Sequence, residues 1–121
     1  MTMSDTRNEH KAIMRKIGDI FVTGDLAQVH ALIAPDYLDH QGLDGVVITG
    51  RQGFHRVVTA ARTGLPQLRI VIHDLIAEDD KVVARLRWQS IDQAGNRIDR
   101  ETIDILRLVN GQAVEHWGAV V

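Results

Sequence analysis

The chain has 121 residues and a formal net charge of −2, with 45% hydrophobic and 25% charged side chains: the balance of a soluble globular protein long enough to build one core. It has no cysteine, which excludes disulfide scaffolds, thiol nucleophiles and thiolate metal sites. There is no basic run, no apolar stretch near the ~18 residues of a membrane span, and no apolar signal core in MTMSDTRNEHKAIMRK. These features lead us to expect one domain over residues 1–121, cytoplasmic, with no nucleic-acid or membrane partner.

Residues 5–23 are predicted as a helix, because Ile13, Ile17 and Phe21, with Met14 and Ile20, recur at three- and four-residue spacing. Ser4 or Asp5 is the expected cap and Gly24 the stop. Asp25 is expected to start a short helix with Leu26, Val29 and Leu32 on its apolar side, ended by Pro35. Residues 37–40 read as a short extended piece and residues 42–47 as a loop. Thr49 opens a third helix, with Gln52 at capping-box spacing and Phe54, Val57, Val58 and Ala61 as its stripe. Gly50-Arg51-Gln52-Gly53 lacks the pattern of a nucleotide fingerprint.

After Pro66 the chain reads as antiparallel strands: residues 68–77, a tight turn at 78–81, a strand over 82–91, a turn at 92–96, and then the hairpin ETIDILRLVNGQAVEHWG. Three helices followed by a strand meander make an α+β layout, one sheet with helices on one face. Pairing Ile91 with Arg97 sets Arg87 opposite Glu101, Ala84 opposite Asp104 and Leu86 opposite Thr102.

The hairpin holds the most informative residue. Asp104 stands among Ile103, Ile105, Leu106 and Leu108, where a carboxylate is costly unless paired, hydrated or used. Asn110-Gly111 marks the turn. A two-residue turn pairs Val109 with Gln112 and sets Asp104 opposite Trp117. A three-residue turn pairs Leu108 with Gln112 and sets Asp104 opposite His116; we adopt it because it gathers Leu106, Leu108 and Val114 on one face with the Asp–His pair. That face also carries Leu86 and Trp88, the lining of a small-molecule pocket. The other carries Ile103, Ile105 and Trp117 among charged residues, a surface suited to a homodimer contact. Asp104 is read either as an acid/base or as a structural acid bonded to His116 or to the Trp88 indole.

APDYLDHQ, TGRQGFHRVV and ETIDILRLVNGQAVEHW, in this order and spacing, resemble the SnoaL-like polyketide cyclases of the nuclear transport factor 2-like superfamily. The resemblance implies a cone-shaped curved antiparallel sheet, with the three N-terminal helices enclosing an apolar pocket. It implies aldol ring closure without metal or cofactor, and a related branch holds epoxide hydrolases and isomerases. In the cyclases the acid/base Asp stands two residues after the His of the last strand, which here is Gly118, and a His stands where this chain has Asp104. The resemblance brings Asp39 or His40 to the pocket, but only one of them, since they alternate on an extended piece. The expected site is therefore Asp104 and His116 as catalytic pair, with Trp88, Leu86, Leu106, Val114, His73 and either Asp39 or His40 around a small hydrophobic ligand. No cofactor is expected, and no metal: His116, Asp104 and His73 lack the short spacing of a metal motif. Two other functions stay open, a non-catalytic hydrophobic binding protein and an epoxide hydrolase.

Overall fold

A computed structural model describes residues 2–121. Helix α1 (Met3–Thr23) starts earlier than the periodicity suggested. Its cap is Thr2, which forms a capping box with Asp5: the Asp5 amide donates to the Thr2 hydroxyl and the Thr2 amide to the Asp5 carboxylate. Gly24 ends it in a left-handed conformation, φ 73°. Ile13, Met14, Ile17 and Ile20 are buried along its inner side.

Asp25 does not start a helix. Its carboxylate accepts from the Ala27 amide in a local turn, and α2 (Val29–Leu32) is a single turn. Pro35 does not stop it either, because strand β1 (Ile33–Leu43) has already begun. The expected loop at 42–47 is a hairpin onto β2 (Val46–Thr49). Its Asp44-Gly45 turn has both residues at positive φ, 51° and 76°, the two-residue geometry that Asp-Gly favours. Helix α3 (Gly50–Gly64) has Thr49 at its N-cap, but no side-chain capping bond forms. Arg51 ties this end down instead, donating to the Ile33 carbonyl (2.8 Å) and the His30 carbonyl (3.1 Å).

Strands β3 (Arg69–Glu78), β4 (Lys81–Ile91), β5 (Arg97–Val109) and β6 (Gln112–Val120) complete the chain. Among the described residues the sheet has six strands in the order β2-β1-β6-β5-β4-β3, curved and unclosed. The first and last long strands meet in the middle: β1 runs parallel to β6, with Leu38 beside Glu115 and Asp39 beside His116. Five residues of β1 span what two of β6 span between Ile33 and Leu38, and Pro35, with no N–H to give, sits in that irregular stretch. The helices cover one face of the sheet. Val29, Ile33, Val58, Val82 and Ala84 are among the most deeply buried residues of the core.

The β4–β5 register is the one expected, Ile91 opposite Arg97 through Lys81 opposite Arg107. Arg87 faces Glu101 in the ladder, yet the ion pairs run diagonally, Arg87 to Asp99 and Arg85 to Glu101. The β5–β6 hairpin corrects our reading. Val109 pairs with Gln112 around a two-residue Asn110-Gly111 turn, φ 50° and 78°. Val114 is then an extra residue in a bulge, because Leu108 faces Ala113 while Arg107 faces Glu115. Asp104 therefore faces Gly118, and His116 faces Leu106.

Gly53 lets α3 close on β2. A Cβ there would lie 2.4 Å from Cγ2 of the buried Ile48, whose branched side chain has little freedom to yield. Gly53→Ala is expected to lower the unfolding free energy by about 1–3 kcal/mol through overpacking, read from urea denaturation.

Candidate active site

The inner face of β5 carries Arg100, Thr102, Asp104 and Leu106 at alternate positions. With β1, β4, β6 and the helices they line an apolar cavity of about 380 Å³. Trp88, Leu86, Leu106, Asp39, Asp104 and His116 all line it. Three expected contacts do not. Val114 is taken out of the alternation by its bulge. His73 is the unpaired residue between Ile72 and Asp74 in a bulge of β3, and it is exposed, so it does not join Asp104 and His116. His40 points to the outer face, bonded to Glu115 at 2.7 Å and stacked on Trp117 at 5.1 Å. Of the alternating pair, it is Asp39 that faces inward.

One hydrogen-bonded chain organises the polar end of the cavity. His116 Nε2 lies 2.8 Å from Asp104 Oδ1, and His116 Nδ1 lies 2.7 Å from Asp39 Oδ1. Asp39 Oδ1 also accepts from the amides of Gln41 and Gly42. The Trp88 indole N–H donates to the Thr102 hydroxyl at 2.8 Å, and Thr102 is 2.7 Å from Asp104 Oδ2. An indole nitrogen only donates, so Thr102 must accept there and give its own proton to Asp104. Both Asp104 oxygens are thus engaged, Oδ2 by Thr102 and Oδ1 by His116.

Burial pushes the His116 imidazole down, but hydrogen bonds and charges from Asp104 and Asp39 outweigh it and raise the ring to about 9. Burial likewise pushes the Asp39 carboxyl up, and His116 with the two amides brings it below its ordinary value. At neutral pH the ring is thus an imidazolium held between two buried carboxylates.

Three features escaped the sequence reading. Thr102 lay on the right face but had no role until Trp88 was seen to orient it. Tyr37, two residues before Asp39 on the same side of β1, is 2% exposed and lines the cavity, and its hydroxyl has no hydrogen-bond partner among the described residues. Burial first, then the charges of Asp39 and Asp104, push its phenol far above the usual value, so it remains a donor. The alternation Tyr37-Leu38-Asp39 was the available signal. The third is the closeness of Gly118, already singled out in the sequence, to Asp104, which it faces across the ladder. A Cβ there would lie 2.8 Å from Asp104 Oδ1 and 2.3 Å from Gln41 Oε1, so the Asp104 carboxylate fills the space that a side chain at 118 would need.

The sequence profile of the SnoaL-like polyketide cyclases matches residues 11–120. The chain belongs to that family. Solved structures agree on the fold of this SnoaL-like chain. IdmH of Streptomyces antibioticus, a candidate polyketide cyclase, aligns at TM-score 0.77 and 21% identity over 90% of this chain and 89% of its own. A candidate polyketide cyclase of Bacillus cereus aligns at 0.79 and 25% over 89% of this chain and 71% of its own. AclR of Streptomyces galilaeus, a candidate hydroxylase, aligns at 0.78 and 20% over 98% and 80%. No curated protein matches this SnoaL-like chain. No described helix is long and apolar enough to cross a membrane.

The raised His116 value has a stability consequence. A group raised from 6.5 to about 9 stabilises the fold fully below pH 6.5, and loses that contribution as pH climbs through 9. The lowered Asp39 contributes above its ordinary range and loses its share only in acid. Unfolding free energy is expected to fall by about 3 kcal/mol between pH 6.5 and 9, and His116→Gln flattens that decline in urea titrations at each pH. In the same range, Asp39→Asn is expected to lower the His116 titration midpoint followed by NMR.

Proposed function

We propose that the protein is a cofactor-independent acid/base enzyme acting on a hydrophobic carbonyl substrate, of the aldol type performed by the family's cyclases. One observation carries this reading: a carboxylate oriented by Thr102 and a histidinium opens into an apolar cavity that also holds an unpartnered phenol. Asp104 takes the proton from a carbon α to a carbonyl, and the C–H pair of electrons moves onto the carbonyl oxygen. The Tyr37 hydroxyl donates to that oxygen as its charge grows. The enolate carbon attacks a second carbonyl, forming the C–C bond, and the resulting alkoxide is protonated from the His116–Asp104 pair. Asp39 acts through the ring, fixing its position and its charge.

Epoxide hydrolysis is less well supported. Among the described residues no arginine bonds Asp104, and Arg85 and Arg87 are engaged on the outer face with Asp74, Glu101 and Asp99. A non-catalytic binding role draws on a specific observation, since both Asp104 oxygens are already satisfied. The two roles part in an exchange experiment. Incubated in D₂O with a hydrophobic β-keto ester, the protein is expected to speed α-proton exchange, followed by NMR. Asp104→Asn then lowers the rate about 10²–10⁴-fold, and Tyr37→Phe about 10²-fold, with each variant melting close to the parent. A ligand-dependent rise in melting temperature with no exchange above the buffer rate would instead identify a binding protein.

A further inference from the structure

We infer that the cavity takes an amphiphilic acid, its anionic group held by Arg100 at the mouth while the reacting carbon lies against Asp104. This deepens the proposed function by naming the substrate class. Arg100 is the cationic side chain of the cavity lining apart from His116. It stands beside Trp88 in the ladder, and Trp88 stands beside Ile70, so a cation rims an apolar wall. The arginines on the opposite face of the same strands are engaged: Arg85 with Asp74 and Glu101, Arg87 with Asp99, Arg107 with Glu115. Arg100 is exposed and makes no ion pair or hydrogen bond among the described residues. A guanidinium without a carboxylate, at the rim of a pocket that is otherwise apolar, is a ready partner for one.

The charge layout gives the ligand a direction. At the far end, two carboxylates flank one histidinium, leaving that end with net negative charge and no attraction for a second anion. Arg100 and Asp104 are four residues apart on one face of β5, about 13 Å along the strand. An acid group docked on Arg100 therefore leaves a chain of several carbons to reach the base, which the apolar lining accommodates.

Three probes with the same tail test this: decanoate, methyl decanoate and decylammonium, titrated by calorimetry. Binding is measured on the parent, on Asp104→Asn, on Arg100→Gln and on Arg100→Lys. We expect decanoate to bind at least tenfold more tightly than the ester, and the ester more tightly than the ammonium. Arg100→Gln should bring decanoate to the level of the ester, and Arg100→Lys should keep most of the preference. Asp104→Asn should keep it too, because that variant removes the proposed chemistry and leaves the rim intact. Equal affinity for acid and ester, a preference that survives Arg100→Gln, or no binding of decanoate would overturn the inference. None of these results bears on whether Asp104 moves protons.

Discussion

A protonated imidazole does not belong in a dry interior unless anions come with it, and the middle of this sheet is arranged around that requirement. His116 is the cation, and its two anions come from the strands on either side, Asp39 on β1 and Asp104 on β5. Each carboxylate in turn needs the ring, since Asp39 and Asp104 are buried as well. Removing the ring would leave two carboxylates facing one another without a cation, in a poorly solvated place. Buried ionic clusters of this kind are a poor way to stabilise a fold, because aliphatic side chains of equal volume do as well without the desolvation cost. The cluster is better understood as the reason the cavity has a polar end at all.

The cavity walls follow from the same strands. Alternation along β5 sends Arg100, Thr102, Asp104 and Leu106 to the inside and Glu101, Ile103 and Arg107 to the outside. Helices α1 and α3 close over the apolar part, with Phe21 and Phe54 edge-to-face at 5.8 Å and Phe21 edge-to-face with Trp88 at 5.5 Å. Trp88 thus serves two masters, packing against α1 while its N–H sets the direction of the hydrogen-bond chain through Thr102 to Asp104.

Much of this was legible in the sequence where local signals are dense. Ile91 and Arg97 flank a turn cluster and strict alternation follows, so the whole β4–β5 ladder could be read. The last hairpin was misread in register but not in face. The real turn is one residue shorter and the Val114 bulge adds one back on β6, and these two shifts of one keep His116 on the side of Asp104. No sequence periodicity announces a bulge, and none announced the one that turns His73 outward. The larger omission was β1. Pro35 and Gly42 made it look like a fragment, and its partner on β6 lies 77 residues on, His116 for Asp39, with no turn to fix the register. So the bond from Asp39 to His116, and the Tyr37 hydroxyl with no partner among the described residues, became visible only once the two ends of the chain were seen side by side.

Gly118 places a condition on how such a site can change over time. The Asp104 carboxylate and any side chain at 118 compete for one volume, on neighbouring strands. The position where the family resemblance puts an acid and the position of Asp104 thus draw on one place. A side chain at 118 comes with a shift of the Asp104 and Gln41 side-chain ends. With neither acid, His116 keeps Asp39 as its anion. Changes at 118 and at 104 are therefore coupled, and the effect of one depends on which residue stands at the other.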